Sequence, residues 1–153
     1  MSVVMEDYSI PPSPEAGSLA VVDAVGLKGS DLALSLLEQS EDCIKLLSVD
    51  GNLEFMNCGG LGAMEIDRPE MVLGKLWWAL WPAESQSFVR DQFQSVLQGR
   101  TVAFEAHCPT AKGNERFWSV NLKPLCARDG PVVSVLATSR ELPMPEERQA
   151  TAA

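Results

Sequence analysis

The sequence has one histidine and one tyrosine in 153 residues. It carries no G-x-S-x-G motif, no phosphate loop and no Ser-His-acid set, so the usual signatures of nucleophilic and phosphoryl-transfer catalysis are missing. Basic residues are scarce, 12 against 21 acidic ones, for a net charge of −9. Nucleic acids and anionic membrane surfaces are bound through clustered Lys and Arg, so neither is an expected partner. No apolar run approaches the ~20 residues that span a bilayer. The start, Met1 to Asp7, lacks the basic stretch of a secretion signal, and a cytoplasmic location is expected. The four cysteines (Cys43, Cys58, Cys108 and Cys126) are widely spaced, with no C-x-x-C pair. They read as buried or free thiols rather than as a metal site.

What is present suits one domain with tails. The apolar fraction, 46%, supports a sizeable core, while 11 Gly and 10 Pro favour short elements joined by turns. Residues 1–29 read as an extension. Pro11, Pro12 and Pro14 resist regular structure, and Leu19 to Val25 forms a short apolar segment suited to packing on a partner. Ser30 is a fitting N-cap for a helix over Asp31–Gln39, with Leu32, Leu36 and Leu37 along one stripe. A strand over residues 43–49, an Asp50-Gly51 turn and a return strand Leu53–Met56 make a hairpin. A Gly-rich block of short helices runs from Asn57 to about Trp81. A clearer helix then follows Pro82 to Gln98, with Phe88, Val89, Phe93, Val96 and Leu97 on one face. Three strands finish the pattern. Val102, Phe104, Ala106 and Cys108 alternate in the first, and Trp118, Val120 and Leu122 share a face of the second. The third, residues 131–137, is apolar on both sides and belongs centrally, beside the first strand of the hairpin.

A helix, a hairpin, a helical block and a three-strand meander imply an α+β domain. The order resembles that of the PAS family. Phe55-Met56-Asn57, the segment Gly62 to Lys75, and Trp77, Trp78, Leu80, Trp81, Pro82 and Glu84 are similar to that family's landmarks. So are Lys112-Gly113, Trp118, Pro124, Asp129-Gly130 and the ending Ala137 to Leu142. The resemblance spans about residues 30–142 and leaves residues 143–153 as a tail. It implies a five-stranded antiparallel sheet with short helices and one long helix on one face. It also implies a sensory role of the kind found in bacterial histidine kinases, a homodimer formed through the helix before the first strand, and a ligand site between sheet and helices. Cavity candidates are Asn57, Trp77, Trp81, Phe104, Trp118 and Leu136; dimer-interface candidates are Leu32, Leu36 and Leu37. In kinases the ending continues into a signalling helix, which Pro143 and Pro145 would interrupt here. The output is therefore expected from a separate kinase or regulator.

Three features test the chemistry. His107 alternates onto the face of Thr101, Ala103 and Glu105, opposite Phe104, so it is not expected to ligate haem. Asn57-Cys58 invites comparison with the flavin-attaching Cys of the LOV branch of the family, but its position and following residues differ. Asn57 is better read as a helix cap, and LOV-type covalent flavin is not expected. The Trp77, Trp78 and Trp81 cluster fits a packed core, or an aromatic cavity for non-covalent flavin or a small organic ligand. Three functions follow: a stand-alone sensory or signal-transfer domain, a ligand-free dimerisation scaffold, and a small cavity enzyme depending on Glu105 or His107. No metal site is expected, and the sensory reading leads.

Overall fold

The structure is a computed structural model that describes Val22 and residues 24–146. It divides into two compact units, Met1–Gln39 and Ser40–Ala153. In the first, Val22 and Ala24 are helical, and the rest of the apolar segment up to Asp23 lies outside the described residues. A leading helix follows over Gly29–Gln39, with Asp31 in its first turn, where a negative charge suits the helix dipole. Ser30 lies inside this helix rather than capping it. None of its residues is buried.

The second unit is built on five strands: β1 Cys43–Leu47, β2 Leu53–Met56, β3 Val102–His107, β4 Phe117–Cys126 and β5 Val132–Leu142. They form one antiparallel sheet in the order β2-β1-β5-β4-β3. The most apolar strand is central and pairs with the first, as its composition implies. It runs on to Leu142, beyond the expected end at Ala137, because Phe117 to Asn121 of β4 continue to pair with Thr138 to Leu142. β1 stops at Leu47, short of Val49, where the pairing with β2 shifts register.

The Asp50-Gly51 turn needs its glycine. Gly51 has φ +91, and a Cβ there would lie 2.3 Å from the Trp78 ring. Between β2 and β3 come a short helix Cys58–Ala63, three 3-10 turns (Pro69–Met71, Trp77–Leu80 and Ala83–Ser85) and the long helix Gln86–Leu97. The expected helix from Pro82 is thus split between the last turn and the long helix. Val89, Phe93 and Val96 bury the inner stripe of the long helix, while Phe88 is 46% exposed and meets Phe104 edge-on at 5.3 Å.

Register fixes one face of the sheet. Leu47, Val135, Ala137, Leu122 and Val120 are fully buried, and Val102 and Phe104 lie opposite Leu122 and Val120. With Val89, Phe93 and Val96 they form one apolar core. The other face takes Leu46, Leu136, Asn121 and Ser119 by the same alternation.

Candidate functional site: a cavity behind the sheet

One corner of the inner face is left open. A cavity of about 240 Å³ is lined by β1, by the turns of the helical block and by the segment from Cys108 to Ala111. Its walls are mostly apolar: Met56, Met64, Ile66, Val72, Leu80 and the rings of Trp77, Trp81 and Trp118. Trp77 and Trp81 meet edge to face at 5.7 Å, and Trp81 tilts against Phe104 at 6.1 Å. Trp118 is held by its indole N–H, which donates to the Cys108 carbonyl at 2.9 Å. A buried indole needs such a partner, and this bond fixes the ring as a wall.

Polar groups enter at defined points. Lys45 is only 4% exposed, on the same face as Cys43 and Leu47. Its Nζ donates to Ser139 Oγ at 3.1 Å, to Cys43 Sγ at 3.2 Å and to the Cys43 carbonyl at 3.3 Å. Cys108 closes another side. Burial pushes its thiol up to about 11, outweighing the opposite pull of the Lys45 charge. Thr110 completes the lining, and its hydroxyl donates to Glu65, as does Asn114 Nδ2. These two bonds hold the Glu65 carboxyl below its usual range.

The backbone of Glu65 is itself unusual, with φ +56 in the left-handed region. It ends the short helix: Ile66 N–H donates to Leu61 C=O and Glu65 N–H to Gly62 C=O, the pairing of a Schellman motif with Glu where Gly is usual. The carboxylate, together with an Ala111 N–H donated to the Met64 carbonyl, fastens the helix end to the β3–β4 connection beside the cavity.

Asn57 lies beneath this corner rather than in it. It is fully buried, and its Oδ1 accepts from Gly60 N–H and Ile44 N–H, both at 2.9 Å. Nδ2 donates to the Asp42 carbonyl at 3.1 Å. The cap reading is therefore right but incomplete, since the same amide also ties the helix to β1. Gly59 and Gly60 permit the close approach: a Cβ on Gly59 would lie 2.2 Å from the Ser40 carbonyl.

Of the sequence-derived cavity residues, Trp77, Trp81 and Trp118 come together in the lining. Asn57 is a structural knot, and Phe104 stands behind Trp81, packed between it and Phe88. Leu136 is corrected to the opposite face of the sheet, paired with Leu46 and Lys123. A strand apolar on both sides does not reveal which residues point inward. Lys45, Ser139, Glu65 and Thr110 were missed. Lys45 was findable, because Cys43, Lys45 and Leu47 share a parity in a strand expected beside the central one. Glu65 and Thr110 carry no local signal.

His107 is exposed on the outer face, where its ring meets Phe117 at 4.8 Å. Cys43 and Cys108 are buried free cysteines, while Cys58 and Cys126 are exposed. No group of three or more His, Cys, Asp or Glu among the described residues is arranged to hold a metal. Among the described residues, no helix is long and apolar enough to cross a membrane.

A family model described as PAS fold matches residues 37–146. The chain belongs to the PAS family. Solved structures agree on the fold. A PAS domain from Colwellia psychrerythraea matches with a TM-score of 0.67 at 14% identity, covering 75% of this chain and 98% of its own. The PAS domain of an HTR-like protein from Haloarcula marismortui gives 0.62 at 23%, covering 74% and 91%. A domain of a sensor histidine kinase/response regulator from Geobacter sulfurreducens gives 0.62 at 18%, covering 72% and 92%. Comparison with curated proteins gives no match. In PAS terms, the open corner lies between the sheet and the helical block, where the sequence resemblance placed a ligand site.

Proposed function

We propose that this PAS domain is a sensor that binds a small organic molecule behind its sheet and passes its state to a separate signalling protein. The observation that carries the reading is the cavity of about 240 Å³, with aromatic walls and a few convergent polar groups. That volume is below the ~300–1,000 Å³ of drug-sized ligand sites, which favours a small ligand over a flavin nucleotide. Cys58 is exposed and is not among the lining residues, which argues against covalent flavin attachment through it. The mostly apolar lining with a few polar groups suits binding of a small molecule, which supports the sensory reading. A kinase or response regulator in the cytoplasm is the proposed partner class, supported by the domain context of the Geobacter neighbour.

The test is a native mass spectrum, with an absorption spectrum, of protein purified from its own cells. Added mass that is lost when bulky side chains fill the cavity supports the reading. Bare protein of unchanged mass in every preparation counts against it.

A second reading, a dimerisation scaffold, is favoured by the leading helix. Leu34 and Leu36 are 53% and 61% exposed, and Leu32 and Leu37 are half-buried. Gel filtration of the chain truncated before Ser40 decides it: loss of a dimer supports this interface, and an unchanged dimer removes it.

A further inference from the structure

Lys45 is the one cationic side chain lining the cavity, and no Asp or Glu is among the residues that line it with Lys45. Its three acceptors are a backbone carbonyl, a cysteine sulfur and a hydroxyl, at 3.1 to 3.3 Å. Ammonium–carboxylate hydrogen bonds are shorter, about 2.7–2.9 Å. The ion pairs among the described residues are made by Arg68, Lys112, Arg116 and Arg140, on the surface and with other partners. Glu65 spends its carboxylate on Thr110 and Asn114. Cys108, held protonated by burial, supplies no thiolate at neutral pH. A buried ammonium whose partners are all neutral is poorly compensated, and an anionic guest relieves that penalty.

We propose that the cavity takes a small apolar monocarboxylate, its carboxylate on Lys45 and Ser139 and its aryl or alkyl body among Trp77, Trp81 and Trp118. The proposal rests on the reading of the cavity as a ligand site and adds the chemical class. A site of this kind discriminates by charge at one end and tolerates variation along the apolar body. The apolar walls alone would accept the neutral analogue equally well, so charge preference is the distinguishing property.

Titration of the purified full chain with phenylacetate and hexanoate, against phenylacetamide and hexanamide, tests it. Three of the four tryptophans line the cavity, so intrinsic fluorescence reports occupancy, with calorimetry as the second readout. The acids are expected to bind roughly ten-fold or more tightly than their amides, since a charge-assisted hydrogen bond is lost. Lys45→Met, which keeps an unbranched side chain one atom shorter and removes the charge, is expected to abolish that preference. The acid–amide comparison needs no variant and stands even if Lys45→Met fails to fold. Amides binding as well as acids, or Lys45→Met binding acids unchanged, overturns the anion class and leaves the ligand-site reading intact. If neither series binds and protein from its own cells carries no added mass, both readings fall together.

Discussion

The two ends of the sheet's inner face are built on opposite plans. Under the long helix, Val89, Phe93, Val96, Val120, Leu122 and Val135 are completely buried. Toward the short helix the same face carries Lys45, Cys43 and Ser139, and space remains between them and the tryptophans. Protein interiors normally close-pack, so an open region is not a default outcome of a core. The difference separates a densely packed end from an open one. Substitutions should separate the two.

The largest effect is expected at the dense end. Phe93→Ala removes a fully buried ring and leaves a void, and should destabilise by about 3–5 kcal/mol in denaturant unfolding. A loss as small as that of a surface change would break the contrast. Next is Asn57→Ala, expected to lose on the order of 2–4 kcal/mol, combining a helix cap with the buried Gly60 N–H and the part-buried Ile44 N–H left without this partner. This change also asks whether the hollow end depends on its knot, because binding of a cavity probe should weaken along with stability.

A matched pair sharpens the comparison. Val120→Ile overfills the dense end and should be unfavourable by about 1–3 kcal/mol, whereas Val72→Ile adds its methylene beside free space and should be nearly neutral. Equal penalties would mean that the cavity collapses in solution. The smallest effect is in pH. The Cys108 thiol titrates near 11 in the fold against an ordinary 9.0, so between these values the unfolded chain binds fewer protons than the native one. Its contribution is therefore complete below about pH 9 and declines as pH rises toward 11. Unfolding midpoints at about pH 8 and about pH 10.5 should differ more for the natural chain than for Cys108→Ala.

The sheet was readable because alternation in β3 and β4 is clean and because β5, apolar throughout, had to be central. The Asp50-Gly51 turn and the Asn57 cap rest on local chemistry, which sequence displays directly. The hollow end was only half readable. Three tryptophans within five residues advertise an aromatic wall, but Leu136 could not be assigned a face within a strand apolar on both sides. The Lys45–Ser139 contact joins residues 94 apart, and the link between Glu65 and Thr110 joins residues 45 apart. Such meetings depend on the completed register, not on any motif. The leading helix was expected from its leucine stripe, yet none of its residues is buried. Periodicity marks a sticky face without naming what covers it.

The strand order also governs how the chain reaches this state. β5, the last strand in sequence, lies at the centre of the sheet and pairs with β1, the first, so one side of β1 stays unpaired until Val135 to Ser139 are available. Until then Ser139, the β5 residue of the cavity lining, has no place opposite Cys43. Such long-range closure slows folding relative to helical proteins of similar size. Assembly of the open corner therefore waits for β5 to pair with both β1 and β4.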